Sequence, residues 1–187
     1  MQDDIKRIFD ESLQVKKKTR DVNAEKIQQV AELILKIFQN NGKVIIFGNG
    51  GSAADSQHMA AEFIGRFQKE RQSLPVIALT TDTSALTALG NDYGFDIVFA
   101  RQLEGLGQKQ DLAIGLSTSG NSRNVIEAIK VAKSKGMSTI SLTGCQGGAL
   151  AELTDINIDV PSTVTARIQE AHIVIVHCIC ELVENNI

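Results

Sequence analysis

The chain has 187 residues, of which 43% are apolar and 22% charged, with a formal net charge of −3. That length suits one domain with a substantial core, and the near-neutral balance excludes a protein that works through bulk charge. No stretch approaches the roughly 18 consecutive apolar residues of a membrane span, and the opening MQDDIKRIFDE is acidic and mixed rather than a signal-peptide core, so a cytoplasmic protein is expected.

IKRIFDESLQ and AEKIQQVAELILKIFQ repeat apolar residues three and four apart. This spacing predicts amphipathic helices in a helical segment, 1–41, with the second helix stopped by Asn40, Asn41 and Gly42. The KKKTR run from Lys16 to Arg20 is set among acidic residues and reads as a solvated helix end, so no direct nucleic-acid contact is expected. From residue 42 to 187 the texture changes to an α/β core within the same single domain. VIIF (44–47), PVIAL (75–79), LAIGLS (112–117), STISL (138–142) and INIDV (156–160) read as short strands. Helical stretches separate most of them: SAADSQHMAAEFIGRF, NSRNVIEAIKVAKSKG and a long one from about Thr163 to Glu184. Such alternation predicts a parallel sheet covered by helices. Between Thr81 and Gln110, SALTAL and VFARQLEGL look helical, with a turn at GNDYGF. The three cysteines, Cys145, Cys178 and Cys180, show no disulfide framework and are expected as packed, reduced thiols.

In open α/β sheets, ligands bind beyond the carboxyl ends of strands. Two loops there carry anion-binding chemistry. GNGGSAA follows VIIF, and STSGNS, Ser117 to Ser122, follows LAIGL. Glycines let the backbone approach an anion, and helix N-termini attract phosphate. The hydroxyls of Ser117, Thr118, Ser119 and Ser122 add donors; Ser122 can equally cap the next helix. STSGNS contains no lysine or arginine, so neutral donors would hold the anion, which suits a sugar phosphate better than a nucleoside triphosphate. Gly48-x-Gly50-x-x-Ala53 also fits a loose dinucleotide fingerprint. The acidic residue that should follow about 20 positions later is missing, and Asp82 lies too far along.

His58 and Glu62 are four apart, hence neighbours on one helix face. Such a pair is commonly a surface salt bridge. Here its helix begins at the first anion loop, which favours shared metal binding or proton transfer. The last helix, RIQEAHIVIVHCICELV, adds Gln169, His172 and His177 in an apolar setting. Gln169 and His177 are eight apart and roughly on one side. His172, three from Gln169 and five from His177, is open to the same set by spacing; the plainer reading is a core histidine with a hydrogen-bond partner.

The ordered set GNGGSAADSQHMAAEF, TALGNDYGF, GLSTSGNSRNVIEAI, SLTGCQGGAL and RIQEAHIVIVH resembles bacterial phosphoheptose isomerases, within the sugar isomerase (SIS) domain superfamily. The likeness covers essentially the whole chain. It implies a doubly wound, Rossmann-like, five-stranded parallel sheet and N-terminal helices used in packing a homotetramer with interfacial active sites. It implies isomerisation of sedoheptulose 7-phosphate to D-glycero-D-manno-heptose 7-phosphate, the first step of ADP-heptose synthesis for lipopolysaccharide. Ser52, Ser117, Thr118, Ser119 and Ser122 match phosphate-binding positions, beside Gly50 and Gly51. Asn49, Arg66, Asn91, Asp92 and Gln169 match positions lining the sugar. Glu62 matches the base and His177 the acid. His58, Glu62, Gln169 and His177 match the ligands of one Zn²⁺ per subunit.

These residue types suit the reaction. One carboxylate can carry a proton between C1 and C2 of an enediol, and an imidazole can shuttle protons between the oxygens. Metal coordination weakens a carboxylate as a base, so ligand and catalyst are competing roles for Glu62 and His177. An adaptor of the same fold that binds the replication initiator DnaA is the alternative, and MQDDIKRIFDESLQ and RFQKERQSLPVIAL resemble it. That adaptor lacks the carboxylate and the final histidine, and this chain has both.

Overall fold

Short β-branched runs between helices leave a central sheet buried on both faces. The computed structural model describes residues 1–187. Its strands are β1 (Val44–Gly48), β2 (Val76–Ala78), β3 (Leu112–Ser117), β4 (Ser138–Thr143) and β5 (Ile156–Asp159), all parallel, in the order β2-β1-β3-β4-β5. β1 and β3 are buried along their whole length, which is why they read as continuous apolar runs.

The helices are α1 (Gln2–Gln39), α2 (Gly51–Ile64), α3 (Thr83–Tyr93), α4 (Val98–Leu106), α5 (Arg123–Ser134), α6 (Gly148–Leu153) and α7 (Thr165–Glu184), with a 3₁₀ turn at Phe95–Ile97. Successive strand residues point to opposite faces. Val44 and Ile46 join one core with α1, α2 and α7. Ile45 and Phe47 join the other with α4 and α5, where Phe47 stacks on Phe99 at 5.6 Å between ring centroids. No helix is long and apolar enough to cross a membrane.

The expected helices of the first forty residues form one continuous helix. The intervening KKKTRDVN has neither glycine nor proline to break it. Its buried polar donors find partners: Thr19 Oγ1 donates to the Val15 carbonyl, and Asn23 Nδ2 donates to the Asp159 carbonyl at the end of β5, while Asn23 Oδ1 is left without a partner. The second half of α1 buries Ile27, Val30, Ala31, Ile34 and Ile37. The first half carries Ile5, Phe9 and Leu13 exposed.

Three other features differ from expectation. α3 runs through Gly90, Asn91 and Asp92, and the turn comes only at Gly94, at φ 93°. GALAEL forms the six-residue α6, too short to show a period. Cys145 and Cys178 are exposed, and only Cys180 is packed.

The sheet order reverses at β1 and β3. From β1 the chain runs to β2 on one side, while β3 lies on the other. This is the topological switch point where open sheets form their ligand crevice. The loops after β1 and β3 meet there.

Candidate active site

The loop after β3 is built for hydroxyl donors. Ser117, nearly fully buried, has its Oγ 2.8 Å from Ser122 Oγ and 3.3 Å from Ser119 Oγ. Gly120 has φ +67°, and a Cβ there would strike the Gly147 carbonyl, so glycine is required for the close approach to the α6 turn. Asn121 fastens the same contact: its Nδ2 donates to the Ser119 carbonyl, and its Oδ1 accepts from the Ala149 N–H. Ser122 stands at the N-cap position of α5, but its side chain makes no capping bond and turns to Ser117 instead. The hydroxyls thus gather into one cradle. A cavity of about 230 Å³ adjoins it, lined by Thr118, Ser119, Cys145, Ser162, Thr163 and Thr165.

The loop after β1 closes the other side. Ser52, in the first turn of α2, is buried. Asn49 and Asn124 exchange reciprocal amide hydrogen bonds of 2.9 and 2.8 Å, tying the two loops together across the switch point. Asn49, expected to line the sugar, therefore spends its amide on Asn124. Asn124 has no marker in the sequence beyond its place two residues after Ser122.

α2 packs against α7, and polar side chains of the two helices meet along that seam. At one end, a methyl group on Gly51 would collide with the Gln169 carboxamide. Seven residues further along α2, His58 Nε2 lies 3.0 Å from Glu62 Oε1 and 3.2 Å from His177 Nε2. With a rise of about 1.5 Å per residue, the two ends are about 10 Å apart. Three of the four expected ligand side chains converge in this chain. Gln169 instead stands at the cradle end.

Two imidazole nitrogens and one carboxylate oxygen thus face a common point. The ligating atoms of His58, Glu62 and His177 all lie within 4.8 Å of one another, so the cluster is capable of coordinating a metal ion. Mixed imidazole and carboxylate donors fit a divalent transition ion such as zinc. Phe67 flanks the cluster, its ring 5.6 Å from that of His177. One turn before His58, Asp55 keeps a buried Oδ2 without a hydrogen-bond partner; burial pushes its carboxyl up, against the pull of His58.

The other expected site residues do not join the cluster within one chain. Arg66 is exposed at the end of α2, 3.9 Å from Glu70. Asn91 and Asp92 are exposed on α3 and bonded to each other at 2.8 Å. His172 is a core histidine, as expected: fully buried, with Nε2 3.1 Å from the Thr143 carbonyl. Burial pulls its pKa down to about 4, against the effect of that hydrogen bond.

A doubly wound sheet with a serine-rich cradle at its switch point defines the class as a SIS-domain protein, and the SIS domain family matches residues 8–144. The chain is 53% identical over 184 residues to the phosphoheptose isomerase of Aquifex aeolicus, spanning 98% of this chain and 96% of that one. It is 52% identical over 176 residues to that of Roseiflexus sp., spanning 94% and 89%. The solved phosphoheptose isomerase of Neisseria gonorrhoeae superposes with a TM-score of 0.94 at 47% identity, over 98% of each chain. The chain belongs to the phosphoheptose isomerase family.

Proposed function

We propose that the chain is a cytoplasmic aldose–ketose isomerase that converts sedoheptulose 7-phosphate to D-glycero-D-manno-heptose 7-phosphate, toward ADP-heptose and lipopolysaccharide. One observation carries the site reading: Glu62 of α2 and His177 of α7 meet at His58, on the helix that begins at the loop tied by Asn49 and Asn124 to the hydroxyl cradle.

In this reading, Ser52, Ser117, Thr118, Ser119 and Ser122 hold the phosphate through neutral donors. The backbone N–H groups at the start of α2 add their share. Glu62 removes the proton from one of C1 and C2 and returns it to the other. His177 moves protons between the two substrate oxygens. The cluster of His58, Glu62 and His177 would hold zinc, which when bound polarises the carbonyl as a Lewis acid. Asn49, Arg66, Asn91, Asp92 and Gln169 would complete the sugar site. The exposed apolar face of α1 supports a homotetramer.

The experiment is incubation of the purified chain, and of E62A, with sedoheptulose 7-phosphate, with and without chelator. Aldose product from the wild type and none from E62A, with substrate still bound, is the expected result. Full turnover by E62A would remove Glu62 from the mechanism. Absence of product from the wild type together with binding to DnaA would favour the adaptor.

A further inference from the structure

The stretch RFQKERQSLP contains Arg71, to which the isomerase chemistry gives no role, and Arg71 meets Glu184 at the last residue of α7. The side chains are 9% and 3% exposed, with Arg71 Nε 3.1 Å from Glu184 Oε1. No other charged pair in the chain is so deeply enclosed on both sides. Every side-chain nitrogen of Arg71 and both carboxylate oxygens of Glu184 have partners. Glu184 also accepts the backbone N–H groups of Phe67, Gln68 and Lys69 at 2.9, 2.7 and 2.9 Å. Arg71 donates to the carbonyls of Glu62 and Phe63 at 2.8 Å each, and to those of Gly65 and Gln72 at 3.2 and 3.0 Å.

The placement of these bonds points beyond packing. Arg71 caps the carboxyl end of α2 at Glu62 itself. Glu184 lies seven residues beyond His177, two turns along the same side of α7. The three N–H groups that Glu184 holds fix the strap after α2, including Phe67, whose ring lies against His177. A buried ion pair is seldom the most stabilising filling for its space. A planar guanidinium, however, supplies up to five fixed donors, and here they join α2, the strap and α7 at one point.

We propose that Arg71 and Glu184 are positioning residues for the isomerisation: their clamp sets the separation and orientation of Glu62 and His177. The proposal rests on the reading of Glu62 and His177 as the reacting pair. The clamp touches neither the hydroxyl cradle nor the start of α2, so it governs turnover rather than substrate capture.

The test is steady-state kinetics of full-length R71K and E184Q with sedoheptulose 7-phosphate, at a temperature well below each variant's melting midpoint. Lysine keeps the charge but cannot fork to the carboxylate and several carbonyls; glutamine keeps the shape but loses the charge. In each variant, kcat falls at least 10-fold while KM stays within about 2-fold. Wild-type kcat in either folded variant, or a loss confined to KM, overturns the proposal. If neither variant folds, F67L carries the test. It removes the ring beside His177 and keeps apolar bulk, and unchanged kcat there overturns the proposal. E62A separates the two levels: turnover by E62A overturns the reading beneath, whereas inactive E62A beside fully active clamp variants overturns the clamp alone.

Discussion

His58 and His177 meet edge to face across two helices, with ring centroids 5.0 Å apart and planes at 62°. Neither α2 nor α7 alone brings two metal-binding imidazoles together. Because the pair spans the helices, an ion held there joins the two elements that carry Glu62 and His177. Binding to the fold and not to the unfolded chain raises stability.

The first prediction concerns that ion. Chelator-treated protein given zinc at about a hundred times its Kd should gain about 2.7 kcal/mol of stability. For a chain of this size the melting midpoint should rise by about 5–10 °C. H58N and H177N should each lose most of that rise, and scanning calorimetry at fixed protein concentration measures it. An equal zinc-induced rise in both variants would place the ion elsewhere.

The cradle makes a different prediction. Ser117 bonds to both Ser119 and Ser122, so removing either of those hydroxyls takes away one of Ser117's two partners and, in the proposed site, a donor to the phosphate. A hydrogen bond to a charged group contributes about 1.5–3 kcal/mol. S119A and S122A should therefore raise KM for sedoheptulose 7-phosphate roughly 10- to 100-fold, with kcat changed far less. A loss in kcat at constant KM would move the phosphate away from this loop.

Much of this was legible from local pattern. The strands showed as apolar runs because a parallel sheet buries both faces, and Leu112–Ser117 has the expected limits. The cradle was visible because STSGNS concentrates its donors within six residues. The spacing of His58 and Glu62 also survives in the fold. What stayed hidden depends on how helices sit against one another. The offset that sets Gln169 at Gly51 and His177 at His58 belongs to the packing of α2 on α7. Arg71 and Glu184 are 113 residues apart in sequence, and nothing near either one announces the other. In α1, the partner of Asn23 Nδ2 is likewise distant, the Asp159 carbonyl at the end of β5.

Acid should weaken the fold in two separate steps. The pKa of His172 is about 4 in the folded chain against an ordinary 6.5. Between those values the unfolded chain takes up a proton that the native core refuses. Its contribution is full above about pH 6.5 and falls as pH drops, by up to about 1.4 kcal/mol per unit, or about 3 kcal/mol by pH 4. For Glu184, burial works against ionisation, but three backbone N–H groups and Arg71 outweigh it and hold the carboxyl below its ordinary 4.5. That contribution is present above the ordinary value and disappears only below it. Urea midpoints measured from pH 7.5 downward should show both limbs. H172Q should flatten the first, and E184Q only the second. A slope between pH 6.5 and 4 unchanged in H172Q would assign it to another group.

The last prediction concerns α1, whose 38 residues extend about 57 Å. Ile5, Phe9 and Leu13 recur every four residues and are 55%, 66% and 62% exposed. Alongside lies an apolar groove of about 630 Å³ between α1 and α7, lined in part by Leu13, Val174, Cys178 and Leu182. A helix keeps its order mainly through tertiary packing, and this half has little of it within one chain. Covering what remains exposed of the three side chains would contribute roughly 3–5 kcal/mol per chain. A second copy of the same stripe and groove supplies such cover, and two pairs of chains make the expected tetramer. Light scattering should therefore give a mass near four times the 20.2 kDa of one chain. F9E combined with L13E buries two unpaired carboxylates in that contact and should lower the mass to that of a dimer or monomer. The α/β core, which buries Ile27, Ile34 and Ile37 of the same helix, should stay folded by circular dichroism. A tetramer of unchanged mass and midpoint in the double variant would show that the subunits meet through some other face.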